Sequence, residues 1–187
     1  PSMASADFFD ITITGFGAHG AMPERSRDPV VIAMNLGQAL QSIVSRNVDP
    51  IHAAVISITQ IHAGSAYNVI PNEAVLSGTI RTFDQRTRKM VAARMKTIAA
   101  GMAQAFEAEI KVDIRDIFSV LVNSAEHSKV VAEVARTVLD PANVALKETP
   151  RMGSEDFADM LLAVPGAYFW LGHDGSLPVH NPGFTLD

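Results

Sequence analysis

Between Phe8 and Ile114 the apolar residues of this chain switch between a period of two and a helical period in the order β, α, β, β, α, β, and few folds accept that succession. From Phe8 to Thr14, Phe9, Ile11 and Ile13 share one face while Asp10, Thr12 and Thr14 share the other, which is the pattern of a half-buried strand. Asp28-Pro29 then offers a capping carboxylate and a proline at the first helical position. Ala33, Leu36, Gly37, Leu40, Ile43 and Val44 recur at helical spacing, and Asn47 and Pro50 end the pattern. Two further strands are expected at 53–60 and 74–82, with Gly64, Asn68 and Pro71 in the loop between them. A second helix is expected from about Asp84 to about Phe106, with Val91, Met95, Ile98, Met102, Ala105 and Phe106 on its apolar side. Ile110, Val112 and Ile114 alternate again as a fourth strand. The βαββαβ order is that of the ferredoxin-like split βαβ fold, a four-stranded antiparallel sheet with two helices on one face. The methionines of the second helix read as core side chains.

Beyond Ser119 the organisation changes. Ser124 is a candidate N-cap for a helix over 125–139, Gly153-Ser154-Glu155-Asp156-Phe157 reads as a helix entry, and 167–171 as a short buried strand. These elements are too few to close a core. The expectation is an α+β domain that ends before about Ser119, followed by part of another domain. Pro1 stands where an initiator Met is absent, and the chain stops after Thr185-Leu186-Asp187, so it reads as the back portion of a longer protein.

Composition narrows the function classes. With 48% hydrophobic and 19% charged residues the chain can build a packed core. A net charge of −5 argues against a nucleic-acid partner, which demands a basic face. No apolar run is long enough for a membrane span, and no signal-peptide pattern opens the chain, so a cytoplasmic location is expected. The absence of cysteine removes disulfides and thiolate ligands.

Five polar residues lie beside glycine or proline, where the backbone can expose them. His180, in Val179-His180-Asn181-Pro182-Gly183, is either an ordinary loop histidine or a metal ligand separated from its partners: no HxxxH or HxD pairing accompanies it, and a zinc-type site needs three or more ligands. His19 follows the turn Gly15-Phe16-Gly17-Ala18, whose glycines would let a substrate approach the imidazole; alone it would be an ordinary turn histidine. Asn68 sits between two strands, where asparagine is usually a turn former. Arg81 ends a strand, where arginine usually meets solvent. Brought together across the hairpin, Asn68 and Arg81 would offer an amide and a planar fork to a carboxylate. Glu155 opens a helix, where a carboxylate ordinarily serves the helix dipole.

Taken together, Gly17-Ala18-His19-Gly20-Ala21-Met22-Pro23, Asp28-Pro29, His62-Ala63-Gly64-x-Ala66-x-Asn68-Val69-Ile70-Pro71, Gly78-Thr79-x-Arg81, Met152-Gly153-Ser154-Glu155-Asp156-Phe157 and His180-Asn181-Pro182 resemble the di-metal amidohydrolases. That family includes hippurate hydrolases, N-acyl-amino-acid deacylases, auxin-conjugate hydrolases and carboxypeptidase G. The resemblance implies a metallopeptidase-type catalytic α/β domain interrupted by a ferredoxin-like lid that also forms a homodimer; residues 8–117 would be that α+β lid and 118–187 an incomplete, C-terminal part of the catalytic domain. It implies metal-dependent hydrolysis of the amide bond of a small N-acyl amino acid with two divalent ions, zinc or manganese, which this chain would hold incompletely or not at all. His180 would be a metal ligand and His19 would stabilise the oxyanion in the other subunit's active site. Asn68 and Arg81 would grip the substrate carboxylate, also across the dimer, and Glu155 would shape the substrate pocket. The chain by itself is expected to be inactive. The competing expectation is a standalone ferredoxin-like dimerisation or ligand-binding module. An RNA-binding relative of the fold is excluded by charge and by the lack of exposed strand aromatics.

Overall fold

Strand β1, Ala6–Thr14, is an inner strand of the main sheet, and its alternation leaves Phe9, Ile11 and Ile13 fully buried. The computed structural model describes residues 1–146, 149–172, 177 and 181–185. Around β1 are a two-residue strand β2 (Ala18–His19), helix α1 (Pro29–Arg46), β3 (Ala54–Ala63), a two-residue β4 (Val69–Ile70), β5 (Glu73–Thr82), α2 (Gln85–Ala105) and β6 (Glu109–Phe118). The main sheet runs β3-β5-β1-β6 with every neighbouring pair antiparallel. This is the split βαβ arrangement expected from the sequence.

Both long helices start where the sequence places a carboxylate. Asp28 accepts hydrogen bonds from the backbone N–H groups of Val30 (2.8 Å) and Val31 (3.4 Å), with Pro29 next in line. Asp84 accepts from the Thr87 backbone N–H at 2.8 Å and from its hydroxyl at 2.7 Å. Burial alone would raise the Asp84 carboxyl, but those bonds and nearby His52 hold it below its ordinary value. Ile32, Leu36, Leu40 and Ile43 of α1 join Val91 and Met95 of α2 over Phe9, Ile11, Ile13, Leu76 and Ile80 in one core. Gly78 is required there: a Cβ at that position would lie 2.5 Å from the Phe9 ring.

One ion pair is buried in this layer. The Arg88 guanidinium of α2 grips Asp7 of β1 through Nε, 3.0 Å from each carboxylate oxygen, and lies 3.6 Å from Asp116 of β6. Burial pushes the Asp7 carboxyl up, the bonds from Arg88 offsetting this only in part.

The described residues form two compact units, Pro1–Val122 with Lys147–Val164, and Asn123–Leu146 with Pro165–Asp187. In the first, the backbone of Ser2–Ser5 is held on two sides. The Ser5 N–H donates to the Thr82 carbonyl at 2.8 Å, and the Ala4 N–H donates to the carbonyls of Arg151 and Gly153, both at 3.0 Å. A short helix α4, Phe157–Ala163, follows. In the second unit Ser124 caps α3, Ala125–Val138. The expected strand at 167–171 does not form. Its place is taken by side-chain pairing: Asn123 Nδ2 donates to the Tyr168 carbonyl and the Tyr168 N–H donates to Asn123 Oδ1, each at 2.8 Å. An apolar run forms a strand only when another backbone pairs with it, and here an amide side chain does so instead.

Candidate substrate-binding site

Two sets of polar residues stand at opposite ends of the main sheet. The first is built on a small ribbon that sequence periodicity does not reveal, because each of its strands is two residues long. β2 pairs with β4 so that His19 faces Val69, and the Gly20 N–H donates to the Asn68 carbonyl at 2.7 Å. The glycine at 17 permits this approach, since a Cβ there would lie 2.5 Å from the Ile70 carbonyl oxygen. The ribbon thus brings His19 and Asn68 side by side, both exposed. The backbone N–H of Ala21 donates to His19 Nδ1 at 3.1 Å. A ring nitrogen that accepts carries no proton, so the neutral imidazole holds its hydrogen on Nε2 and presents an outward donor.

The second set gathers around Arg81, on the sheet face opposite the helices. Arg81 Nη1 donates to Ser154 Oγ at 2.6 Å, both residues being half-buried. The two meet because Ser5 pairs with Thr82 while Ala4 pairs with Gly153, which threads the Gly153-Ser154-Glu155 segment past the end of β5. Glu155 is half-buried beside Ser154, and its Oε1 accepts from the Asp156 N–H at 3.1 Å.

Asn68 and Arg81 are not brought together across the hairpin. Asn68 lies where β5 begins at Glu73, and Arg81 lies where it ends. Eight residue steps at about 3.3 Å put the two ends of the strand roughly 26 Å apart. His180 lies outside the described residues. Among the described residues no group of three or more His, Asp or Glu side chains could hold a metal ion. They offer a guanidinium, an imidazole donor, an amide and a hydroxyl, and no metal centre among themselves. Sequence reasoning passed over Ser154, although it lies in the Gly153-Ser154-Glu155 motif, because a lone serine carries no spacing signal. The other described histidines make local contacts: His52 lies 3.4 Å from Asp84, His62 pairs with Gln60 at 3.1 Å and His127 with Ser124 at 2.9 Å. His173 lies outside the described residues.

A four-stranded antiparallel sheet covered on one face by two helices, with a histidine-bearing ribbon at one end, defines an α+β domain of the split βαβ type. Residues 5–106 match the peptidase dimerisation domain, and the chain belongs to that family. It is 37% identical over 185 residues to a hippurate hydrolase of Campylobacter jejuni, covering 99% of this chain and 48% of that protein. It is likewise 37% identical to an N-acetylcysteine deacetylase of Bacillus subtilis, covering 100% of this chain and 48% of the relative. Among solved structures it resembles a Bacillus subtilis protein described as a dinuclear metal-binding peptidase of the M20 family. That match has a TM-score of 0.78 at 30% identity and covers 100% of this chain and 46% of that one. The chain spans about half the length of the curated relatives it matches.

Proposed function

We propose that this chain is the dimerising and substrate-gripping part of a metal-dependent amidohydrolase that cleaves the amide bond of N-acyl amino acids. Residues 8–117 act as the lid, and residues 118–187 belong with the catalytic part, where His180 joins the metal ligands. The observation that carries the reading is the separation of the two polar sets. Arg81 and Glu155 share one end of the sheet, His19 and Asn68 the other, and about 26 Å is too far for one small substrate to touch both within a single chain. Two copies related by a two-fold axis resolve this, each lending its His19–Asn68 ribbon to the Arg81 end of the other.

In that arrangement Arg81 binds the free carboxylate of the substrate through paired N–H donors. The Nε2–H of His19 from the second copy donates to the oxygen that becomes negative as the carbonyl carbon turns tetrahedral. Asn68 beside it supplies an amide to the same substrate, and Glu155 borders the pocket. The divalent ions supply an activated water in such enzymes. Strand β3 is the natural seam between copies: it is an outer strand of the sheet, and Ile61 on it and Met34 on α1 are 64% and 61% exposed. An unpaired strand edge of this kind recruits a second strand.

The test is the full-length protein assayed with zinc or manganese against hippurate and N-acetyl amino acids. Turnover is expected, with the matching carboxamides cleaved about 100-fold more slowly because the charged pair with arginine is lost. Failure to hydrolyse any carboxylate-bearing N-acyl amino acid with either metal refutes the reading.

A further inference from the structure

The β2–β4 ribbon has an inner and an outer face. Ala18 and Ile70, opposite one another, are half-buried, whereas the next pair, His19 and Val69, is exposed. Directly opposed residues of an antiparallel pair hold their Cβ atoms about 4.5–5.5 Å apart. Val69, 53% exposed, therefore stands beside the imidazole on the outward face of the ribbon. Two residues earlier in the chain, Tyr67 is wholly exposed. A single apolar side chain in water is ordinary, but these two adjoin the imidazole that offers its Nε2–H outward. Between Phe16 and Pro23, and between Ala66 and Pro71, the ribbon carries no carboxylate, ammonium or guanidinium. What meets this face is uncharged and apolar.

We propose that Val69 and Tyr67 are specificity-determining residues, an apolar wall lent together with His19 to the other copy's site, against which the acyl substituent of the substrate packs; this rests on the role given to His19 above. When the Nε2–H donates to the acyl carbonyl oxygen at an ordinary distance, about 2.9 Å, the substituent begins only two bonds from that oxygen. It is then within reach of the residue paired with His19. An acetyl methyl is too short to use such a wall. A benzoyl ring covers it, because a flat aromatic group gains by packing on aliphatic and aromatic side chains. The acyl group selected is therefore flat or extended, apolar and larger than acetyl. If Val69 and Tyr67 merely rested on the other copy as part of the subunit contact, their loss would weaken the dimer and lower turnover of every substrate alike.

The full-length metal-loaded enzyme is assayed with hippurate and N-acetylglycine, which share the amide and the carboxylate and differ only in benzoyl against acetyl. Wild type is expected to favour hippurate at least about tenfold in kcat/KM, and Tyr67→Ser and Val69→Thr each to cut that ratio about three- to tenfold, while Tyr67→Phe keeps it. Placement in the dimer is read from mixed dimers of Arg81→Ala and His19→Ala chains, whose one whole site takes its ribbon from the Arg81→Ala chain. Tyr67→Ser added to that chain lowers the ratio, and added to the His19→Ala chain it leaves the ratio at the parent value. A wild type that prefers N-acetylglycine, equal losses on both substrates in Tyr67→Ser and Val69→Thr, or an unaltered ratio in both overturns the wall while leaving His19 in place. A ratio that falls only when Tyr67→Ser is in the His19→Ala chain overturns it too. Absence of turnover on either substrate with either metal overturns the reading of the enzyme itself, and the wall with it.

Discussion

The roughly 26 Å between the two ends of β5 makes a sharp demand on any mixed dimer. Consider His19→Ala and Arg81→Ala, each placed in a separate copy of the full-length enzyme. Homodimers of either variant lack one essential group at both sites. In a mixed dimer, one site receives His19 from the Arg81→Ala subunit and keeps Arg81 from the His19→Ala subunit, so it is whole; the other lacks both groups. Random pairing makes about half the dimers mixed, each with one whole site of two, so about one quarter of wild-type turnover is expected from the mixture under two-fold symmetry. Loss of an oxyanion donor alone costs about 10²–10³ in kcat, so the homodimer background is negligible against that quarter. Co-expressing differently tagged subunits in equal amounts and measuring hippurate hydrolysis of the whole mixture checks this, and the mixed dimer purified through both tags should show about one half of wild-type turnover. Mixed dimers no more active than the two parents would show that His19 and Arg81 serve one site from one chain, and the argument from strand length would be wrong.

Other outcomes follow from the fold. Gly78→Ala would force a methyl to within 2.5 Å of the buried Phe9 ring, an overpacking expected to cost about 1–3 kcal/mol in a denaturant melt; an unchanged midpoint would contradict the packing. Asp84→Ala removes the α2 cap and should cost about 1 kcal/mol near neutral pH. Because the Asp84 carboxyl is held below its ordinary value of 3.8, that stabilisation is present above this value and disappears as pH falls through the lower folded one. Wild type and Asp84→Ala should therefore converge in acid, and a pH-independent difference would refute the assignment. Ile61→Lys places a charge on the exposed β3 edge and should shift the protein from dimer to monomer in light scattering. A dimer that survives this change would move the seam elsewhere.

The helices were legible in the sequence because their signals are local. Asp28 is the cap that the sequence proposes, the second helix starts near Asp84 as expected, and the apolar spacing from Ala33 to Ile43 became the buried stripe of α1. Strand β1 was legible for the same reason. The strand expected at 167–171 failed because a short apolar run states burial but not pairing, and Asn123 became its partner. The β2–β4 ribbon escaped notice because two residues carry no period, although Gly17 and Gly20 mark the close approach it needs.

Alternation, capping residues and glycine positions determined the order and type of elements, since these act over a few residues of chain. Only the folded sheet decided which polar residues meet. Asn68 and Arg81 are separated by thirteen positions and stand at opposite ends of β5, whereas Arg81 and Ser154, 73 positions apart, are 2.6 Å from one another. An extended strand carries its neighbours in sequence apart at about 3.3 Å per residue, while antiparallel pairing of β1 with β5 and the backbone bonds of Ala4 and Ser5 bring remote segments to one point.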